Sequence, residues 1–228
     1  MGNKVVKILK DPRMALSLLL NNKIFNNMHD QTYIQLKYLL RIGKKVNFNN
    51  PKSFNEKLQW LKLFDRNPIY TMLVDKYEVR KFIAENIGDE YLVPILGVYE
   101  NFDHINFDEL PNEFVLKCTH DSGGVVICQD KKNFDIKKAR KKINRNLKRN
   151  FYYRNREWPY KDVKPRIICE KLLIDTESEE LKDYKIMCFN GRVMCSFVCL
   201  NRNSEKGLNV DFYDNEWKIM PFERYYPN

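Results

Sequence analysis

The stretch EFVLKCTHDSGG, residues 113–124, joins an apolar run that contains a lysine to a pair of glycines. Side chains alternate along a strand, so the run predicts a strand with Phe114, Leu116 and Cys118 on one face and Val115 and Lys117 on the other. A lysine on an inner face needs an anion, because burying an unpaired ammonium group is strongly unfavourable. The fold around this stretch must therefore supply a negative partner for Lys117.

Two partners fit the ammonium group of Lys117. The first is the carboxylate of Asp121, four residues later, which would make a purely structural ion pair. The second is a phosphate, because the small turn Ser122, Gly123 and Gly124 would let backbone N–H groups approach it closely. The segment is neither a Walker loop nor a kinase glycine loop, so these residues alone leave both partners open.

The N-terminal part of the chain is helical in pattern. Residues 4–46 carry basic residues between Leu and Ile positions. Ser53 and Glu56 make a capping box, which predicts the start of a helix, and Pro68 ends the segment. A further short helix is predicted over about residues 75–86, closed by a glycine and followed by apolar strands interrupted by proline and glycine.

The rest of the chain is dominated by strands. VVICQD, residues 125–130, is predicted to pair with the Lys117 strand as a hairpin. PRIICEKLLID, residues 165–175, is predicted to be a strand with Ile167 facing one way and Glu170 the other. In DYKIMCFNGRVMCSFVCL, residues 183–200, Asn190-Gly191 is a strong turn signal between two apolar strands. The pattern indicates an α+β protein.

Positive charge is concentrated in one segment. The chain has a net charge of +10, and residues 131–149 hold ten of its 40 Lys and Arg residues but one of its 30 Asp and Glu residues. Ile136, Ala139, Ile143 and Leu147 recur at helical spacing, which predicts an amphipathic helix with a basic outer face. That face is either an ordinary solvated surface or a contact for a polyanion, such as an anionic lipid surface or an acidic polysaccharide; nucleic acid is disfavoured because no recognised motif accompanies it.

Other features limit the class of protein. No stretch reaches the ~18 apolar residues of a membrane helix, and no signal-peptide cleavage site follows the N-terminus. The six cysteines form no C-x-x-C pair, and the histidines do not cluster as zinc ligands would. We therefore expect a cytoplasmic protein with reduced thiols, with a peripheral position at the inner face of the membrane as the alternative.

In order and spacing, the chain resembles the ATP-grasp superfamily and, within it, the TupA-like branch of teichuronopeptide biosynthesis, whose members are sometimes labelled glycosyltransferases. The resemblance covers roughly residues 50–228. The segments that carry it are KSFNEKLQWLKLFDRNP (52–68), DKYEVRKF (75–82), GDEYLVPILGVYE (88–100), LPNEFVLKCTHDSGG (110–124), REWPYKDVKPRIICEKLL (156–173) and LKDYKIMCFNG (181–191).

The resemblance implies an ATP-grasp-like fold in which ATP lies between two lobes. It divides this chain into a helical N-terminal region (1–70), an N-terminal lobe with the lysine hairpin and the basic helix (71–174), and the start of a C-terminal lobe (175–228). It also implies a carboxylate–amine ligase. Such an enzyme phosphorylates a carboxylate with ATP, and an amine then displaces the phosphate from the acyl phosphate.

The resemblance also assigns residues to the nucleotide. Lys76 and Lys117 would bind its phosphates, and the turn of Ser122, Gly123 and Gly124 would close over them. Glu170 would accept a hydrogen bond from the adenine amino group, and the backbone of Lys171 to Leu173 would face the adenine edge. Asp183 and Lys185 would point towards the ribose or the phosphates. Clustered lysines suit phosphoryl transfer, which depends on positioning and charge neutralisation.

The sequence departs from the family at the magnesium ligands. Family members carry these on late strands, in patterns like R-x-D-x-Y, and this chain ends at ERYYPN before such a segment. We therefore expect an incomplete C-terminal lobe without its own metal ligands, either a truncated relic or a chain whose site another chain completes. No catalytic residue is assigned.

The acceptor would be an acidic sugar or an amino acid attached to one, as expected in cell-surface polysaccharide biosynthesis. Arg154 and Arg156 would pair with its carboxylate, and Trp158 and Tyr160 would stack on the sugar. Packing of the same loop explains these residues equally well. Two other functions stay open: a glycosyltransferase, for which no Asp-x-Asp motif is present, and a polyanion-binding module that uses residues 131–149.

Overall fold

The structure is a computed structural model that describes residues 12–175, 181–201 and 207–223. The described residues form seven α-helices and seven β-strands. The helices are α1 (Pro12–Leu19), α2 (Asp30–Ile42), α3 (Phe54–Phe64), α4 (Ile69–Val74), α5 (Val79–Asn86), α6 (Ile136–Leu147) and α7 (Tyr152–Asn155). The strands are β1 (Ile95–Tyr99), β2 (Phe114–Cys118), β3 (Val125–Cys128), β4 (Ile167–Lys171), β5 (Asp183–Phe189), β6 (Arg192–Leu200) and β7 (Asn209–Tyr213).

The chain divides into two compact units between Leu172 and Leu173. The first contains all the described helices and a four-stranded antiparallel sheet in the order β1-β4-β2-β3. The second contains a three-stranded antiparallel sheet in the order β5-β6-β7. This confirms the α+β class, and the hairpin predicted between β2 and β3 is present. None of the described helices has the length and apolar character needed to cross a membrane.

The core of the first unit lies on one face of its sheet. Phe114, Leu116 and Cys118 of β2 are buried there with Ile167 and Cys169 of β4, as the alternation predicted. Helix α6 covers this face with Ala139 and Ile143, which are also buried in the core cluster. Lys117 and Glu170 project from the opposite face of the sheet.

The basic segment forms helix α6 as predicted, except that Ile136 of the predicted apolar stripe is exposed. Asp135 caps its N-terminus, since the carboxylate accepts a hydrogen bond from the backbone N–H of Lys138 at 2.9 Å. Ala139, Ile143 and Asn146 are buried on its inner side, while the lysines between them are exposed. An amphipathic helix packed in this way presents nearly all its charge to the outside.

The N-terminal helices pack around a smaller cluster that contains Leu20, Tyr33 and Ile34. Helix α2 ends at Gly43, whose φ of 83° is the left-handed conformation that favours glycine. Helix α3 begins with the predicted capping box, in which Ser53 and Glu56 each cap the other's backbone N–H. Residues 1–11, part of the region predicted to be helical, lie outside the described residues.

The structure shortens the helix predicted over residues 75–86. Helix α5 begins at Val79, because the carboxylate of Asp75 accepts hydrogen bonds from the backbone N–H groups of Tyr77 (2.8 Å) and Glu78 (3.4 Å) and holds a turn there. The cap at its other end is Ile87, and Gly88 follows with a φ of 138°.

In the second unit, β5 and β6 form the hairpin that the Asn-Gly pair predicted. Asn190 and Gly191 have φ values of 50° and 72°, as a tight two-residue turn requires. Strand β7 pairs with β6, and Tyr213 forms an isolated bridge with Ile219. Val198, Cys199 and Val210 are buried in this unit.

Candidate functional site

The partner of Lys117 is a carboxylate of the neighbouring strand. Val115 of β2 lies directly opposite Glu170 of β4, so Lys117, two residues further on, projects from the same face of the sheet. The Nζ atom of Lys117 lies 2.5 Å from Oε2 of Glu170. Of the two partners that the sequence left open, Asp121 is therefore not the residue that pairs with Lys117 here.

Glu170 also pairs with Arg80, which the sequence reasoning missed. Oε1 of Glu170 lies 3.3 Å from a guanidinium nitrogen of Arg80, and Arg80 also donates to the carbonyl of Val93 at 2.6 Å. Glu170 is 5% exposed, so its charge is held between two cations away from water. Arg80 lies on α5, whereas Lys76 precedes that helix, so no local spacing in the sequence indicated this pairing.

Lys76 lies at the end of β2 and binds the turn that follows it. Its backbone N–H donates to the carbonyl of Thr119 at 3.2 Å. Its ammonium group donates to the carbonyls of Cys118 (3.1 Å), Thr119 (3.3 Å) and Asp121 (2.5 Å). Burial lowers the pKa of Lys76, the carboxylate of Asp121 opposes that effect, and the nearby charge of Lys117 adds a smaller effect in the same direction as burial. The structure thus brings the two predicted phosphate-binding lysines to the same end of one strand.

The glycine turn is shaped by two different constraints. A Cβ atom on Gly124 would lie 2.7 Å from Oδ1 of Asp121 and 2.8 Å from Sγ of Cys118, so no side chain fits there. Gly123 has a φ of 109° and open space around its Cβ position. Ser122, beside it, is exposed. The turn therefore presents an accessible backbone and a hydroxyl group next to the two lysines.

A second ion pair fixes the segment that carries Lys76. Asp75 is 2% exposed, and its Oδ2 lies 3.4 Å from the guanidinium group of Arg166. Arg166 also pairs with Glu78 at 2.6 Å, and its backbone carbonyl accepts from Thr119 at 2.9 Å. Arg166 was not predicted as a site residue, although it directly precedes β4, whose last residues Glu170 and Lys171 were predicted to contact the nucleotide.

The remaining predicted nucleotide residues are distributed over both units. In the first unit, the backbone N–H of Lys171 donates to the carbonyl of Pro94 at 3.0 Å. Leu173 begins the second unit. Asp183 and Lys185 lie on β5 of that unit, where their side chains form an ion pair with each other.

The predicted acceptor residues have different surroundings. Arg154 is exposed, whereas Arg156 is 1% exposed and one of its guanidinium nitrogens donates to the carbonyls of three residues, Phe25, Asn26 and Met28, at 2.7–3.2 Å. Trp158 lies under the guanidinium group of Arg66, 5.3 Å from its ring centre. Tyr160 packs edge-on against Phe151 at 4.9 Å, and burial raises its pKa. Arg156 in this position fastens the N-terminal helices to the loop.

The donor groups near Lys117 fit a phosphate. Lys117 retains a 31% exposed side chain, and the open backbone of Gly123 and the hydroxyl of Ser122 lie in the adjoining turn. Ammonium and backbone N–H groups are the donors that phosphate oxygens require. The described part of the chain holds no group of three or more His, Cys, Asp or Glu side chains that could bind a metal ion.

Comparison with known proteins gives one match. The model of the family described as TupA-like ATPgrasp matches residues 56–228, well over half of the chain. The matched range begins within α3 and includes every residue of the Lys76, Lys117 and Glu170 cluster. Neither the curated proteins nor the solved structures contain a match.

Proposed function

The chain belongs to the TupA-like ATP-grasp family, and from this premise we propose that it is an ATP-dependent carboxylate–amine ligase of cell-surface polysaccharide biosynthesis. The family implies ATP binding. The proposal adds the reaction and the setting. The reaction is supported by the cationic cluster at the end of β2, and the setting rests on the resemblance to the TupA-like branch.

One observation carries the proposal. Lys76 and Lys117, 41 positions apart in the sequence, lie together at the end of a single strand and beside a glycine turn with an open backbone. Lys117 pairs with Glu170, but Arg80 also neutralises that carboxylate, so the fold does not need Lys117 to balance it. A partly exposed ammonium group beside an open glycine turn suits a polyphosphate, because the charge of a polyphosphate must be neutralised at several oxygens.

The proposed reaction has two steps. In the first, a carboxylate oxygen of the acceptor attacks the γ-phosphorus of ATP, and ADP leaves. In the second, the amine of the donor attacks the acyl carbon, and inorganic phosphate leaves with the bonding electrons. In both steps, Lys117 would hold and neutralise the phosphate oxygens, and Lys76 would hold the shape of the adjoining turn.

The ion pairs of the site would rearrange when the nucleotide binds. Lys117 can turn from Glu170 to a phosphate at modest cost, because Arg80 remains to neutralise Glu170. We infer that Glu170, once released by Lys117, becomes available to the adenine amino group. Lys171 would contribute through its backbone, as predicted from the resemblance.

The experiment that tests the proposal is a calorimetric titration of ATP into the full chain. We expect Lys117→Ala to abolish binding, because it removes the exposed cation of the site. Lys164→Ala is the matched control: it removes one lysine from the same unit, but that lysine is an exposed one paired with Glu100, so ATP affinity should not change. Equal ATP affinity in wild type and Lys117→Ala would contradict the proposal.

Thermal unfolding in the presence of ATP or of a sugar nucleotide separates the ligase from the glycosyltransferase. A glycosyltransferase would bind a sugar nucleotide rather than ATP. We expect ATP to raise the melting temperature of the protein, because a ligand that binds only the folded state stabilises it. A sugar nucleotide that raises it while ATP does not would favour the glycosyltransferase.

A second proposal concerns the basic face of α6. Alongside its buried inner side, the helix exposes a row of cations, of which Arg140 pairs with Asp103 at 2.7 Å. The exposed cations of the segment are Lys132, Lys137, Lys138, Arg140, Lys141, Lys142, Arg145 and Lys148. We propose that this face attracts a polyanion, either an acidic polysaccharide or an anionic membrane surface.

The test of this second proposal is retention on heparin. Retention should fall steeply with salt, because exposed charges are screened within about 10 Å at 0.1 M ionic strength. A triple change of Lys138, Lys142 and Arg145 to glutamine should reduce it, and Lys117→Ala should not. Retention that survives the triple change would place the polyanion contact elsewhere.

A further inference from the structure

A pocket of about 180 Å³ lies in the first unit, away from the lysine cluster, between α2 and α3. Helix α7 contributes a residue to its wall. Helix α2 precedes the range that the family model matches, so the family does not define this pocket. The residues that line it are Tyr33, Ile34, Lys37, Tyr38, Arg41, Ile42, Asn55, Gln59, Lys62 and Asn155.

Three cations contribute to the wall of this pocket. Lys37 and Arg41 come from α2, and Lys62 comes from α3. The described lining residues include no aspartate or glutamate. Glu157 lies beside the wall, where its carboxylate accepts from the side-chain amide of Asn155 at 3.1 Å. The pocket therefore carries an excess of positive charge.

Lys37 is the buried member of this group. It is 7% exposed, and its ammonium group donates to Oδ1 of Asn21 (2.7 Å), to the hydroxyl of Tyr33 (3.1 Å) and to the carbonyl of Arg154. All three acceptors are uncharged, so none of them neutralises the ammonium group. With a pKa of about 7, Lys37 is only partly protonated at neutral pH, so the positive charge of the pocket and the direct hydrogen bonds to a ligand would come mainly from Arg41 and Lys62.

The charges around Lys37 act in one direction. Burial, the largest cause, and the positive charges of Arg41, Lys62, Arg154 and Arg156 together lower the pKa of Lys37 to about 7. Burial likewise lowers the pKa of Lys62, against the opposing effect of Glu157. An anion in the pocket would relieve this repulsion, which makes anion binding favourable beyond the contacts themselves.

The other polar residues of the wall suit hydroxyl groups. Asn55, Gln59 and Asn155 each carry a side-chain amide, which both donates and accepts hydrogen bonds. The volume is below the ~300 Å³ at which drug-sized ligand pockets begin. Three cations, three amides and this size together describe a site for one small hydroxylated anion.

We propose that the pocket between α2 and α3 binds a single anionic sugar unit, with Arg41 and Lys62 on its negative group and the amides on its hydroxyls. This rests on the proposed function, since it would form a subsite for the acidic acceptor. The shared chemistry is a sugar that bears an oxyanion, and two sources supply it: a uronic acid and a sugar phosphate.

The experiment uses the full chain and ligand-observed NMR titration with glucuronate, glucose 1-phosphate, glucose and inorganic phosphate. We expect at least one anionic sugar to bind about ten-fold or more tightly than glucose and than inorganic phosphate. Lys62→Gln should weaken that binding about ten-fold, the typical effect of losing one charge-assisted hydrogen bond. Arg41→Gln should act similarly.

Lys57→Gln is the matched control. Lys57 lies on the same helix as Lys62 and is exposed, but it does not line the pocket, so its loss should change affinity less than two-fold. The proposal fails if neither anionic sugar binds, if inorganic phosphate binds as tightly as the sugars, or if Lys57→Gln weakens binding as much as Lys62→Gln does.

An ATP titration on the same variants keeps the two proposals apart. Lys62→Gln should retain the ATP affinity of wild type, because Lys62 is not part of the Lys117 cluster. Sugar binding without ATP binding would overturn the ligase and leave the pocket as an anion site. ATP binding without sugar binding would overturn the pocket proposal and leave the ligase proposal standing.

Discussion

Replacing Glu170 by glutamine is expected to destabilise the first unit by about 3 kcal/mol, because breaking a buried ion pair on one side costs about 3–5 kcal/mol. The carboxylate of Glu170 lies 2.5 Å from Lys117 and 3.3 Å from Arg80. Glutamine would leave these two cations on one sheet face without a counter-charge. The lower end of the range applies because Lys117 is 31% exposed and water screens part of its charge.

The converse change should cost less. Lys117→Met leaves Glu170 paired with Arg80, so we expect a loss of about 1 kcal/mol, close to the net value of one hydrogen bond. Adding Lys117→Met to Glu170→Gln should then relieve part of the repulsion. The double variant should therefore be more stable than the sum of the single changes implies, by about 1–2 kcal/mol of coupling.

Urea unfolding followed by circular dichroism measures the stability of the wild type, the two single variants and the double variant. The control is Glu100→Gln, which removes a carboxylate from an exposed pair with Lys164 and should leave the unfolding midpoint unchanged. Two results would contradict the ion-pair argument. One is a Glu170→Gln midpoint that matches Glu100→Gln, and the other is a double variant whose loss is strictly additive.

Two further outcomes are expected. Gly124→Ala should destabilise the turn by roughly 1–3 kcal/mol through overpacking and should weaken ATP binding, since its Cβ would lie within 3 Å of Asp121 and Cys118. The comparison is Gly123→Ala, whose Cβ would meet no atom within 4 Å and which is strained only by its φ of 109°. Equal unfolding midpoints for the two variants would contradict the packing argument. Lys37 holds its proton less tightly when folded, with a pKa of about 7 against 10.5, so the unfolded chain binds more protons between these values and stability should rise as the pH increases from 7 towards 10. Lys37→Met should flatten that rise in unfolding experiments at pH 7 and pH 9.5, and an unchanged slope would show that Lys37 is not the group responsible.

Local patterns were enough to predict most of the elements. Alternation along β2 placed Lys117 opposite the core face, because side-chain direction in a strand depends only on sequence position. The capping box at Ser53 and the Asn190-Gly191 turn were also predicted correctly, since both depend on residues within one turn of each other.

Non-local partners could not be predicted in the same way. The pairing of Lys117 with Glu170 depends on the register between β2 and β4, which are some 50 residues apart in the sequence. Arg80 reaches Glu170 from a helix that precedes both strands. Arg156 was predicted to contact a ligand because it lies beside aromatic residues in the sequence. In the structure it is buried against the N-terminal helices, so its role is structural.

The resemblance gives Lys76 and Lys117 the same role, phosphate binding, but their contacts in the structure differ. Lys76 directs its ammonium group to three backbone carbonyls, so contact with a phosphate would require it to give up at least one of them. Lys117 has a charged partner that Arg80 can neutralise in its place, and its side chain is partly exposed. We therefore expect Lys117 to be the cation that binds the phosphate and Lys76 to set the shape of the turn that receives it. A lysine-to-arginine change should then be tolerated better at 117 than at 76, where a planar guanidinium group cannot reproduce three convergent contacts.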